Sequence, residues 1–323
     1  MERTSPLYMQ RFYPCKEALI AMLPLVLMAY VSNGLRPVLA VAISVLCGYG
    51  FDALMHKMRS MKFDPMDLSG AVTGAVFAML MPASVSFWLL VVGNFVAIVL
   101  VKHAFGGYGN NIFNPAAVAV AFCSLMWPHQ VYLYPASMSK LPLVINEEVA
   151  LFSSPLATLK AGGVPYVDFV NLLTGDYIGP IGSSGIVIMA GVAVYLLVRK
   201  VIDWRLPASF MATVSLVAFF FPRIHTTRLD SMVYELFCTA TVFGALYVVS
   251  EPVTAPKRPA SKIIYGVLMG LTTMGFRYFG AYEMGIVFSS IACSALSSFI
   301  DRRVNNYEGH YTLQRQITGG DQQ

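Results

Sequence analysis

Long apolar runs, each broken by a few polar or turn-forming residues, recur from Cys15 to Ile300. A bilayer-crossing helix needs about 20 apolar residues, and fewer where it is broken. On that measure spans are predicted near 17–32, 36–56, 67–84, 86–104 and 114–128. A second group follows near 179–199, 206–222, 231–250, 262–280 and 283–300. The short joints carry breakers: Asn33-Gly34, Pro82, Pro222 and Gly280. Only Pro128 to Ile178 is a long interval without spanning character. The expected fold is an all-α polytopic membrane protein of about ten transmembrane helices. Residues 1–128 form a first five-helix half, 129–178 a loop, 179–303 a second five-helix half and 304–323 a polar tail.

Composition agrees: 57% of the 323 residues are hydrophobic and 12% charged, with mean hydropathy +0.64. Soluble domains carry about 25% charged residues, so a globule with a large core is excluded. The net charge of +5 does not point to nucleic acid, because the basic residues fall at span ends. Their distribution sets an orientation. With the N-terminus inside, 16 of the 22 lysines and arginines fall in inside segments and 6 outside. Both termini are therefore expected in the cytoplasm, and the 129–178 loop on the outer face of the cell membrane. Arg223 and Arg228 run against the trend. Residues 1–16 are polar and no cleavage-like site follows, so the first span is expected to stay in the protein.

An internal repeat is expected. Phe105, Gly106, Tyr108 and Ile112 align without a gap on Phe279, Gly280, Tyr282 and Ile286. Five helices separate the copies, so the halves would face opposite sides, a 5+5 inverted repeat with sites near its interface. Two Gly/aromatic turns in a biased composition can also coincide by chance.

Chemistry has few carriers. Four of the five cysteines lie in apolar spans and none forms a C-x-x-C pair, so they read as small buried hydrophobes. Neither a zinc nor an iron–sulfur site built by this chain alone is expected. No two histidines share a helical face at close spacing, which argues against paired haem ligands. Four polar stretches remain. In Gly106 to Pro115, Asn114 is placed to cap a helix with Pro115 at its first position. Asn110 and Asn111 go beyond a cap, since amides at membrane depth must be satisfied. In Asn146 to Lys160, two acids and two serines precede Pro155; serines before a proline are ordinarily a helix start. Thr174 to Gly185 describes a tight entry to the sixth span. Ser250 to Pro256 ends the eighth with Glu251, either a solvated interfacial acid or part of an ion path.

These four pieces, in this order on ten spans, resemble the RnfD/NqrB family over roughly residues 15–303. FGGYGNNIFNPAAV, from Phe105, is the most specific match. SEPVTAP resembles a family D-P-V-T-S-P turn with Glu251 for its acid. GPIGSSG matches only partly, with Ser183 where the family has glutamate. The resemblance implies a membrane subunit of an Rnf-type ferredoxin:NAD⁺ oxidoreductase complex, not catalytic alone, that passes electrons with coupled Na⁺ or H⁺ translocation. It implies FMN held covalently through a phosphoester in a motif like D-x-x-S/T-G-A-T-P-L. Aligning on Pro155-Leu156 puts Ser154 at the threonine, Ser153 at the alanine, Phe152 at the glycine and Glu148 at the aspartate. Thr158 offers a second hydroxyl without family support. Asn111 and Asn114 are weaker cofactor-binding candidates. Phe152, Tyr166, Phe169 and the Asn110–Asn114 loop are expected to line the flavin. A riboflavin is also implied, although the sequence shows no site for it. The implied partners are other Rnf subunits, membrane and peripheral, the lipid bilayer and a flavin transferase. NAD and iron–sulfur centres are expected to belong to the partners. A secondary transporter and a flavin-less structural subunit stay open as alternatives.

Overall fold

The computed structural model describes residues 6–61, 63–144, 149–165, 167–183, 185–224, 227–238, 240–280 and 284–306. Each predicted span contains a helix. The first five match α1 (Pro6–Asn33), α2 (Leu35–Met58), α3 (Ser69–Met79), α4 (Phe87–Phe95, prolonged by a π-helical segment Val96–Lys102) and α5 (Pro115–Met126). The central interval holds α6 (Pro128–Tyr132), β1 (Leu133–Pro135), β2 (Leu151–Ser153), α7 (Pro155–Lys160) and α8 (Phe169–Thr174). The second group comprises α9 (Ile186–Val198), α10 (Arg205–Phe220), α11 (Arg228–Phe237), α12 (Thr241–Gly244, prolonged by the π-helical Ala245–Val249), α13 (Pro259–Phe279) and α14 (Gly285–Ser294). Residues 297–306 are helical as well.

Most of the helices are shorter than the predicted spans, whereas α1, α2 and α13 are longer. Among the described residues, Pro14–Asn33 and α2 are long and apolar enough to cross a membrane alone. α11 with Thr241–Val249, a pair bent by 59°, is a broken span or a re-entrant loop. At 11 residues, α3 rises about 16 Å, roughly half a bilayer's apolar thickness. It stops at Leu80 because Pro82 disfavours helical backbone at the residue before it. The 12-residue α5 is closed at both ends by its own sequence. Asn114 and Pro115 start it, and Pro128 follows it.

Two ends of the bundle are distinguishable. At one lie the α1–α2 turn, the α3–α4 turn and the central interval. Asn33 donates to the carbonyls of Ala136 and Ser139. Buried Arg36 donates to the carbonyls of Ala83, Val85 and Leu143. The pattern of residues predicts no strands in this interval, yet β1 and β2 pair antiparallel with Tyr134 opposite Phe152. That pairing holds the Ser153–Ser154 segment against the bundle. At the other end Glu17 binds Arg199, and Lys262 and Arg205 share Asp203.

Small residues let the helices approach. A Cβ on Gly48 would meet the Gly70 carbonyl at 2.3 Å, and one on Gly74 the Ser44 carbonyl at 2.3 Å. Asn94 of α4 donates to Ser44 Oγ at 2.7 Å, which in turn donates to the Gly74 carbonyl at 2.7 Å. Gly266 and Gly270 play the same part between α13 and α10. Across the halves, α1 packs on α9 and α5 on α14.

Candidate functional site

Ser154 stands where β2 gives way to α7. It adopts extended backbone, and its Oγ accepts from Ala157 N at 3.2 Å, the geometry of an N-cap. The helix-start reading of these serines is therefore satisfied in full. The hydroxyl is covered, with the residue 5% exposed. Ser153 and Thr158 on either side are exposed. Ser154 lines a narrow cavity of about 330 Å³ with Tyr134, Pro180, Cys238, Arg277 and Met284. Arg277 brings strong positive character. Its guanidinium binds Glu235 Oε2 at 3.1 Å and Thr241 Oγ1 at 2.6 Å. Arg223 binds the other oxygen of Glu235 at 3.3 Å and lies over the Tyr278 ring at 4.2 Å. Two guanidiniums thus share one carboxylate, and one of them, Arg277, lines the cavity with Ser154, an excess of positive charge suited to an anion.

The asparagine-rich loop does not join this site. Asn114 caps α5, accepting from Ala117 N at 3.0 Å and donating to Val248 O at 3.4 Å. From there α5 climbs about 18 Å to the Ser154 end, so the expected single flavin slot, with Phe152 and Phe169 beside the asparagines, is not formed. Phe152 and Phe169 are 45% and 59% exposed on their own side. Glu147, Glu148, Tyr166, Ser184 and Tyr282, which enter the motif and repeat readings, lie outside the described residues.

Asn111 lines a second cavity instead, between the N-terminal part of α1, the start of α3, the 105–111 loop and the 250–253 turn. Its wall is mostly apolar, with a few inward polar groups: Lys102, Tyr108, Asn111, Tyr247 and Glu251. Asn111 Oδ1 and the Tyr247 hydroxyl are buried without a hydrogen-bond partner. Unsatisfied buried polar atoms facing one cavity are what a hydrogen-bonding ligand would complete. Tyr108 accepts a long hydrogen bond from Cys15 at 3.8 Å. Glu251 accepts from Thr254 Oγ1 at 2.9 Å. Burial pushes its carboxyl up to about 7, against weaker lowering by Thr254 and Lys102.

Beneath this cavity lies a cluster that sequence spacing could not disclose. Asp52 of α2 binds Lys102 Nζ at 2.8 Å and His103 Nε2 at 2.7 Å. Lys102 also donates to Ser69 Oγ at 2.6 Å. The rings of His56 and His103, 47 positions apart, come within 5.1 Å. Asp52, His56 and His103 bring their ligand atoms within 4.8 Å of one another. The ammonium on the same carboxylate competes with any cation there. In the sequence, buried charges at span ends, Lys102 and Arg277 among them, count only as topology markers. That each ends a span is the available signal.

Comparison with known proteins adds a family. Residues 15–308 match the NQR2, RnfD, RnfE family. The chain is 30% identical over 292 residues to the D subunit of the Na(+)-translocating ferredoxin:NAD(+) oxidoreductase complex of Acetobacterium woodii, covering 89% of this chain and 87% of that one. It is 28% identical over 337 residues to the D subunit of an ion-translocating oxidoreductase complex of Actinobacillus pleuropneumoniae, covering 94% and 93%. The corresponding Haemophilus ducreyi protein is 26% identical over 329 residues, covering 92% of each chain.

Proposed function

Because the chain belongs to the NQR2, RnfD, RnfE family, we propose that it is the D subunit of an Rnf-type ion-translocating oxidoreductase in the cell membrane. In this reading it carries electrons between ferredoxin and NAD⁺ with coupled outward Na⁺ or H⁺ movement. The other Rnf subunits supply the iron–sulfur and NAD chemistry. FMN is esterified to Ser154 by a flavin transferase, and a riboflavin occupies the cavity at the opposite end.

The observation that carries the flavin reading is the buried Arg277 guanidinium lining one cavity with a serine hydroxyl. A phosphoester keeps a negative charge, and Arg277 offers its counterion. Bound flavin supplies one- and two-electron redox chemistry; the chain supplies anchoring, charge and shielding. Tethering keeps the cofactor at a local concentration that diffusion would otherwise dissipate. As folded, Ser154 is covered, so the 151–160 segment must open for attachment. In the second cavity Asn111 and Tyr247 provide the unpaired amide oxygen and hydroxyl that a polar heterocycle can engage, and Val72, Val76 and Leu246 its apolar walls.

The test is intact-mass spectrometry with in-gel fluorescence on the purified chain. The expected mass is that of the polypeptide plus one esterified FMN, with fluorescence surviving denaturation. Ser154→Ala should abolish both; Ser153→Ala and Thr158→Ala should leave them unchanged. Loss on Ser153→Ala instead would move the anchor by one residue. A colourless chain of bare mass would favour the flavin-less subunit. Discontinuous helices and the cross-half pairing of α1 with α9 and α5 with α14 also suit a secondary transporter. Solute uptake by the chain alone in liposomes would support that reading.

A further inference from the structure

Two adjoining cavities lie away from Ser154 and beside the Asn111 cavity, with which the first shares Val201, Ile202, Ser250 and Pro252. The first is an open cleft of about 1420 Å³ between the α9–α10 turn and the segment that follows Glu251. Four cations line it, Lys200, Arg205, Lys257 and Lys262, against the single carboxylate of Asp203. Asp203 is already engaged by Lys262 at 2.7 Å and Arg205 at 3.3 Å. Lys200 and Lys257 are exposed, and their ammonium groups form no ion pair among the described residues, although the Lys257 backbone N–H donates to Asp301 Oδ2 at 2.9 Å. Lys200 is held at φ 55, in the left-handed turn that closes α9.

The second is a groove of about 800 Å³ on the flank of the bundle, walled by Met189, Ala193, Pro207, Met211, Phe237 and Val242 and free of charged residues. Leu197 and Trp204 line both cavities and make them continuous. The groove follows α9, whose 13 residues rise about 20 Å, close to one leaflet's ~15 Å of hydrocarbon. Trp204, 59% exposed, stands at the junction where tryptophan marks the membrane–water boundary. Charge at one end and a dry slot of leaflet depth beneath it match one amphiphile.

We propose that the cleft and groove together bind a single anionic phospholipid. Its phosphate is received by Lys200, Lys257 and Arg205, and one acyl chain lies along α9 between Leu197 and Met189. An acidic segment of a partner protein would answer the cleft but not the uncharged groove at hydrocarbon depth. The proposal rests on the membrane location, not on the flavins, so a colourless protein leaves it standing.

Native mass spectrometry of the full-length chain in detergent tests it, titrating phosphatidylglycerol against phosphatidylethanolamine of the same chains. Preferential retention of one phosphatidylglycerol, on the order of tenfold, is expected. The exposed double variant Lys200→Ala/Lys257→Ala should remove the preference. Ala193→Trp, which fills the groove, should weaken retention of both lipids. Equal retention of the two lipids by the unmodified chain would overturn the proposal. So would displacement by inorganic phosphate alone at the same concentration, or crosslinks from Lys257 that lead only to a partner protein in the assembled complex.

Discussion

Single side chains here carry consequences that their residue type does not announce. Glu251 is the clearest. Its folded-state pKa of about 7 lies above the ordinary 4.5, so the folded chain holds a proton that the unfolded chain releases. Stability from this group is complete below about pH 4.5 and is lost as pH rises through about 7. Glu251→Gln cannot ionise. It should therefore stabilise the protein at pH 8 by about 1–3 kcal/mol and leave it unchanged at about pH 4.5, read as melting temperature in detergent. A destabilised variant at about pH 8 would mean that the carboxylate form is the one the cavity holds. Arg277 makes the opposite case, a charge that must not be removed. Arg277→Met leaves Glu235 with Arg223 alone and Thr241 without its donor, which should cost about 3–5 kcal/mol. Denaturation of the purified variant measures it.

At the scale of elements, small residues decide what the helices can do. α2 contains two glycines two positions apart, and they should not behave alike. Gly48 faces the Gly70 carbonyl, where a Cβ would sit at 2.3 Å; Gly50 meets nothing within 4 Å. Gly48→Ala should force α2 and α3 apart and destabilise by about 1–3 kcal/mol. Gly50→Ala should be neutral or gain up to about 1 kcal/mol of helix propensity. Paired melts of the two variants test the α2–α3 contact, and equal effects would refute it. The two π-helical segments, Val96–Lys102 and Ala245–Val249, sit where a helix ends beside the inner cavity. The second is closed by Ser250 Oγ, which donates to Ala245 O at 2.8 Å. Neither is visible in the apolar pattern. A π turn differs from an α turn in hydrogen-bond register, not in residue type.

For the whole molecule, the question is which end faces the cytoplasm. The structure gathers the α1–α2 turn, the α3–α4 turn and the central interval at one end. It also accounts for part of the charge on the side taken as outer. Arg36, Arg223 and Arg277 are not free loop cations, because Arg36 is held by carbonyls and Arg223 and Arg277 share the one carboxylate of Glu235. A reporter fused near Ser139 should be reachable from outside the cell and one near Met61 should not. The reverse labelling would turn the Ser154 end inward.

The sequence by itself determined that this chain is a helical membrane protein. It also placed a helix in each apolar run, though not α6, α7 and α8 of the central interval, because hydrophobic runs and their proline and glycine breaks are local properties of the chain. Motif order was enough for the family, since FGGYGNNIFNPAAV is contiguous. What it could not decide was partnership across distance. The asparagine loop and Ser154 are expected in one slot, and only the length of α5 shows them at opposite ends. Asp52 meets Lys102, and Glu235 meets Arg223 and Arg277, through packing of helices far apart in the chain. Whether a serine hydroxyl lies open or covered depends on the strand pairing of β1 with β2, which no run of residues records.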